Sequence, residues 1–201
     1  MAMSTPLGAK AASVVKEDTT YVTCYPKTKV YSNKQKIQHS ATAKFTALKS
    51  SKQSVATVSC KKEKDGYKIY VNAKKVGTTK VSYKLKGVTH TQKVVVKKYT
   101  NPYKKVTVNG KDITAQFKKS NVAVVSYKKY KNKKVIIKYE MKKDWAPTHS
   151  DYCKGDKILK CIGSLKYEFS INKPKKSSTV ETAIITYKDD NVDQSSVIIF
   201  K

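Results

Sequence analysis

His149 and Cys153 stand four residues apart, a spacing that suits a thiol nucleophile and its base if a third group orients the imidazole and an oxyanion site receives the developing charge. No such completing groups stand out nearby. Cys161, eight residues past Cys153, offers the sulfur a simpler fate as a disulfide partner or an inert thiol. Asp189, Asp190, Asn191 and Asp193 crowd one short stretch as calcium ligands do. They lack the Gly and the distal Glu of an EF-hand, and adjacent acids in a tight turn are ordinary turn formers. With 14 acids in the whole chain, no carboxylate pair stands apart as a glycosidase acid and base. The histidines His39, His90 and His149 and the cysteines Cys24, Cys60, Cys153 and Cys161 show none of the spacings of a zinc site. The expectation is therefore a non-enzyme with no catalytic residue, no metal site and no cofactor.

A binding site has more to draw on. The segment from Lys142 to Gly163, KKDWAPTHSDYCKGDKILKCIG, gathers the chain's one Trp with a Pro, a His, two Cys and two Gly and shows no clean alternation. It reads as an irregular loop, where binding usually resides on a sandwich. Trp145, His149 and Tyr152 from this segment, with Tyr103 at a linker and Tyr130 near a turn, are the candidate ligand residues, as a stacking platform for sugar rings. The competing reading places Trp145 and the tyrosines in the core, because Tyr83, Tyr127, Tyr139 and Tyr187 all fall inside apolar alternation.

The elements that would position these residues are strands. Between Ser54 and Val96 four short runs recur at even spacing, SVATVSC, YKIYVNA, KVGTTKVSYKL and VTHTQKVVV, broken by Gly or Lys/Asp turns. Val81, Tyr83 and Leu85 share one face and Lys80, Ser82 and Lys84 the other. Thr19–Tyr31 reads as an edge strand interrupted at Pro26, and Ile37–Leu48 as one further strand with Phe45 in the core. Asn101 and Pro102 follow the apolar Val94, Val95 and Val96 and mark a domain boundary. Beyond it, Asn109-Gly110 sits between alternating runs, the strongest short hairpin signal. NVAVVSYKKY and KVIIKYEM read as a second hairpin, and Leu165–Ile171, Thr179–Tyr187 and SSVIIFK follow as strands, the last two turning at Asp189 to Asp193. The expected fold class is all-β: two Ig-like antiparallel β-sandwich modules in tandem. Residues 1–18 form a lead-in or a remnant of cloning, 19–99 the first sandwich and 100–201 the second, joined by a short linker of limited freedom.

Composition narrows the partners. The net charge is +29, yet lysines are interleaved with Val, Ile and Tyr, as on a solvated sheet face. Both halves are basic, with 21 Lys and 4 acids before residue 99 and 22 Lys and 10 acids after it. All 43 basic residues are Lys and none is Arg. Lys is a hydrated point charge without the bidentate fork that reads guanine edges, so sequence-specific nucleic acid is not an expected partner. Either the lysines confer solubility and blunt sheet edges, or they adhere to anionic polymers such as teichoic acid, sulfated or other host and cell-wall glycans, or DNA. No apolar run is long enough for a membrane-spanning helix. The first twelve residues lack the apolar stretch of a secretory signal, so an exported protein would have lost its signal. A monomer is expected. Two cysteines fall in each half, which pairs Cys24 with Cys60 and Cys153 with Cys161 if the compartment oxidises thiols, and otherwise leaves four free thiols.

The Ser54–Val96 block also resembles the bacterial Ig-like group 2 (BIG2) family, whose pattern runs roughly S-x-x-x-V-A-T-V-S, a strand, then x-G-T-x-x-V-x. Ser50 or Ser51, Val55, Ala56, Thr57, Val58, Ser59, Gly77, Thr78 and Val81 stand where that pattern wants them. The resemblance covers about residues 20–98 and departs in the first strand, which carries a Cys and a Pro. The second half is similar only in general terms to modules that sit beside such domains. This resemblance implies a secreted or surface-attached protein of a Gram-positive bacterium, serving as stalk or adhesion module. It also raises the Lys-to-Asn isopeptide cross-links of some surface domains, with Glu140, Glu168 or Glu181 as promoter.

Overall fold

The structure, a computed structural model, describes residues 14–26, 33–187 and 193–201. Seven strands precede residue 99: β1 (Val14–Cys24), β2 (Lys34–Ser40), β3 (Thr46–Ser50), β4 (Ala56–Glu63), β5 (Gly66–Ala73), β6 (Gly77–Leu85) and β7 (Val88–Lys98). They form one sheet in the order β1-β7-β6-β3 and another in the order β2-β5-β4. The period-two pattern of β6 decides its facing. Val81 and Tyr83 are buried with Phe45, Ile69, Val71 and Val94 between the sheets, while Lys80 and Lys84 point to solvent. Phe45 meets Tyr83 edge to face, ring centroids 5.3 Å apart, the arrangement that aromatic quadrupoles favour.

Three expectations change here. Strand β1 begins at Val14, so residues 14–18 belong to the fold, while residues 1–13 lie outside the described residues. The sheet is also not purely antiparallel, because β1 runs parallel to β7, with Val22 opposite Val96. The expected single strand Ile37–Leu48 is two strands in different sheets. Ser40 Oγ accepts the amide of Ala43 at 3.1 Å and turns the chain at that corner, which lets Phe45 cross into the core. Gly66 fits beneath the corner: it has φ +131°, and a Cβ there would lie 2.3 Å from Ser40 O. Only glycine tolerates both.

After residue 102 come β8 (Tyr103–Val108), β9 (Lys111–Asp112), β10 (Val122–Val125), β11 (Lys134–Met141), β12 (Trp145–Lys154), β13 (Lys157–Gly163), β14 (Glu168–Asn172), β15 (Ser178–Thr186) and β16 (Asp193–Phe200). Sheets β10-β16-β15-β12-β13 and β14-β11-β8-β9 enclose a second apolar cluster that includes Val106, Phe117, Ile137, Ile184 and Phe200. Asn109 (φ +48°) and Gly110 (φ +77°) make the β8–β9 turn as expected. The Asn109 side chain also accepts the Ile136 amide at 2.6 Å, so the turn pins β11 to β8.

Propensity misleads in two places. KDITAQF is a strand for only two residues, because Asp112 Oδ1 accepts the Thr114 amide at 2.7 Å and winds the chain into a 3-10 turn, Thr114–Lys118. NVAVVSYKKY and KVIIKYEM are not a hairpin. Ser126 caps a one-turn helix α1, Tyr127–Tyr130; β10 pairs in parallel with β16, whereas β11 pairs antiparallel with β8 and β14 in the other sheet. Between the sheets, Ser150 Oγ donates to Thr182 Oγ1 at 3.1 Å, and Tyr139 Oη lies 3.0 Å from the same oxygen. Three buried hydroxyls from β12, β15 and β11 thus satisfy one another, the condition for burying them at low cost.

The two groups of sheets meet around Tyr25 and Tyr99, whose ring centroids are 6.0 Å apart. The Ser195 amide donates to Tyr25 Oη at 2.7 Å, Thr23 Oγ1 donates to Asp193 O at 2.9 Å, and the Thr100 amide donates to Gln194 Oε1 at 3.2 Å. Among the described residues, no helix is long and apolar enough to cross a membrane.

Candidate functional site

Three of the five candidate ligand residues are core. Tyr103 is 1% exposed, bonded through its hydroxyl to Ser196 Oγ and stacked on Tyr139 at 5.2 Å. Burial holds its phenol well above the ordinary value. The residue is not in a linker. Lys104 bulges out where Met141 and Glu140 of β11 pair with Tyr103 and Lys105, and this turns Tyr103 inward. Tyr130 is 3% exposed, and its hydroxyl donates to Val108 O at 3.3 Å. Tyr152 is 5% exposed and accepts the Lys175 amide at 2.7 Å. Trp145 is half-buried and packs against the same core. A sugar-stacking platform from these rings is therefore not formed.

The 142–163 segment that carries Trp145 and Tyr152 is not an irregular loop. It is the hairpin β12–β13, turned at Gly155 (φ +57°) and interrupted by register shifts between Ser150 and Asp151 and between Tyr152 and Cys153. Those shifts hid its alternation.

Alternation along β12 places Ser150 and Tyr152 inward and His149 and Asp151 on the outer face of the sheet. Cys161 of β13 lies opposite Asp151 on one side, and the exposed Glu181 of β15 lies opposite it on the other. The fold thus gathers a set that spacing in the sequence does not suggest. His149 Nε2 is 3.0 Å from Asp151 Oδ2 and 3.8 Å from Cys161 Sγ, and one ligating atom from each of the three residues falls within 4.8 Å of the others. Asp151 Oδ1 is buried and has no hydrogen-bond partner, a condition that costs about 1–3 kcal/mol. His149 alone of the predicted ligand residues belongs to this set. Asp151 and Cys161 would have been found as its partners only from the register of β12 against β13.

The same geometry bears on the other chemical readings. His149 faces Asp151 and Cys161, and burial, with the Glu181 and Asp151 charges adding, pushes the Cys153 thiol up; a protonated thiol is a poor nucleophile. All four cysteines are free thiols. Cys161 pairs in register with Asp151, whereas Cys153 pairs with Ile158, so the two sulfurs stand on different rungs. Cys24 lies on β1, at the far edge of its sheet from β3, while Cys60 lies on β4, which follows β3 directly and edges the other sheet. As for isopeptide promoters, which must be buried, Glu140 and Glu168 are half-exposed and pair with Lys104 at 2.5 Å and Lys138 at 2.9 Å, and Glu181 is exposed. Of the acidic stretch, Asp189, Asp190 and Asn191 lie outside the described residues, as do residues 27–32 after Pro26.

The second outward surface of note is on the N-terminal half. Lys80 of β6 lies directly opposite Lys93 of β7, with Lys16, Lys49 and Lys84 exposed on the same face among Ser82, Thr89 and Thr91. None of these five lysines is in an ion pair among the described residues. Directly opposed like charges destabilise a sheet. By contrast, Lys68 is held by Glu63 at 2.8 Å and Asp65 at 2.9 Å at the β4–β5 turn, which lowers both carboxyls and raises the ammonium.

No family model and no curated protein matches the chain. Among solved structures, the cadherin domains 1–4 of protocadherin gamma B7 are similar over 94% of this chain and 51% of that one, at 7% identity and a TM-score of 0.33. The surface layer protein SbsC, domains 1–6, is similar over 78% of this chain and 20% of that one, at 20% identity and a TM-score of 0.21. Fibronectin(III)-like modules of Clostridium thermocellum CbhA are similar over 91% of this chain and 90% of theirs, at 15% identity and a TM-score of 0.24. The chain thus spans about half of the first of these and a fifth of the second.

Proposed function

We propose that this chain is a non-enzymatic extracellular protein of two Ig-like sandwich modules, 19–99 and 100–201, acting as a stalk and adhesion module at a bacterial surface, with the first module a member of the bacterial Ig-like group 2 family. The observation that carries the adhesive part is the lysine face of β1-β7-β6-β3, where Lys80 opposes Lys93 without an intervening acid. Such a row stabilises nothing within the fold, and a polyanion laid across it would neutralise it. Lys without Arg suits a repeating anionic polymer, sulfated glycan or teichoic acid, better than a base sequence.

The stalk part rests on the joint at Tyr25 and Tyr99, where the Ser195 amide donates to Tyr25 Oη and Thr23 Oγ1 donates to Asp193 O, tying one half to the other. Heparin binding followed across a salt series tests the adhesive reading. Affinity falls steeply with salt and is weakened by Lys80→Gln with Lys93→Gln; equal affinity at low and physiological salt overturns it.

A further inference from the structure

We propose that His149, Asp151 and Cys161 form a binding site for one divalent transition-metal ion, of the zinc class, on the outer face of the sheet β13-β12-β15. The proposal is independent of the adhesive reading and uses the opposite half of the molecule. A borderline-soft imidazole nitrogen, a hard carboxylate and a soft thiolate make up a mixed N/O/S set, which suits zinc and disfavours calcium or magnesium.

The geometry is near to what such an ion requires. With bonds of about 2.0–2.1 Å to nitrogen and oxygen and about 2.3 Å to sulfur, tetrahedral angles place nitrogen and oxygen about 3.3 Å apart and nitrogen and sulfur about 3.6 Å apart. Here His149 Nε2 is 3.0 Å from Asp151 Oδ2 and 3.8 Å from Cys161 Sγ, so side-chain adjustments of a few tenths of an ångström complete the three-ligand half of the shell. Two of the ligands, His149 and Asp151, are spaced by one residue on β12, and the third comes from the neighbouring strand, so strand pairing itself preorganises them.

An independent observation points the same way. Asp151 Oδ1 is buried yet accepts no hydrogen bond, so the charge of this carboxylate is compensated only through Oδ2, and a cation held at Oδ2 offsets the rest. The open fourth position is left to water, and Glu181, in register with Asp151 on β15, adds negative charge to the same face. Binding deprotonates Cys161: the S–H bond breaks, the sulfur–metal bond forms and one proton leaves to solvent. Mechanically, the ion ties β13, an edge strand with mostly exposed side chains, to β12.

The test uses the full chain, stripped of metal by a chelator, kept reduced with a phosphine and titrated with Co²⁺ as an optical probe. One equivalent per chain produces a thiolate-to-cobalt charge-transfer band, releases about one proton at neutral pH and is displaced by Zn²⁺. Cys161→Ser abolishes the band, His149→Ala and Asp151→Asn each weaken binding at least tenfold, and Cys24→Ser and Cys60→Ser leave it unchanged. Absence of the band in the unmodified chain, or a band that survives Cys161→Ser, overturns the proposal. The wild-type spectrum and proton count decide the matter even if a variant folds poorly.

Discussion

Two outward sheet faces of this protein are built on the same pleat and decorated to opposite ends. The face of β1-β7-β6-β3 presents lysines in rows, with Lys80 against Lys93. The face of β13-β12-β15 presents His149, Asp151 and Cys161 around a single point, with Glu181 exposed on the adjoining strand. A row of like charges has no preferred ligand atom and acts as a field, dependent on salt. Convergent unlike donors act at one position and depend on their exact register. The contrast separates what the chain does by composition from what it does by geometry.

The substitution expected to do most harm is Tyr103→Ala. Removing a fully buried ring from the C-terminal core costs roughly 3–5 kcal/mol, read as a lowered denaturation midpoint, with the lysine face keeping its polyanion affinity. A surface platform would show the reverse, unchanged stability and lost binding. Gly66→Ala is the matching probe of the N-terminal half. With φ +131° and a Cβ that would sit 2.3 Å from Ser40 O, it costs about 3 kcal/mol of backbone strain. If the halves are separate modules, each change shifts its own melting transition.

Thr182→Val is gentler. It removes the hydroxyl that joins Ser150 and Tyr139 and costs about 1–3 kcal/mol without altering charge on either face.

Alkaline titration sharpens the core side of the comparison. Burial, with the Glu17 charge adding, pushes the Tyr83 phenol up to about 12, and burial raises Tyr99, Tyr103 and Tyr139 as well. Between the unfolded value near 10 and the raised folded values, the native state holds the extra protons. Stability from these groups is therefore full below about pH 10 and declines as pH rises toward the folded values. Tyrosinate absorbance is the discriminating readout. It rises in two phases, exposed phenols first and buried ones only with unfolding. A single phase near pH 10 would count against the burial described.

Much of the fold was legible because period-two alternation survives in β6, β11 and β15, where Val81 and Tyr83, Val135, Ile137 and Tyr139, and Val180 and Ile184 turn to the core of their half. Asn109-Gly110 was legible because its turn requires positive φ at both positions. The site was less so. His149 stood out as a rare residue, but its partners depend on β13 pairing with β12 through two register shifts, and no pattern within either strand encodes that pairing. Tyr103 and Tyr130 were misplaced for a similar reason, one turned inward by the Lys104 bulge and the other by a one-turn helix capped at Ser126. Side chain to backbone hydrogen bonds at Ser40, Asp112 and Ser126 redirect strands that propensity alone would extend.

The smallest structural change carries the most direct test. Lys80→Gln with Lys93→Gln removes one opposed pair, which raises stability by about 0.2–1 kcal/mol while weakening polyanion binding. The deciding measurement is the slope of log affinity for a heparin or DNA oligomer against log salt concentration. The account predicts a steep negative slope for the natural chain, reduced by about 1 for each lysine removed. A flat salt dependence, or a slope that the double variant leaves unchanged, would contradict it.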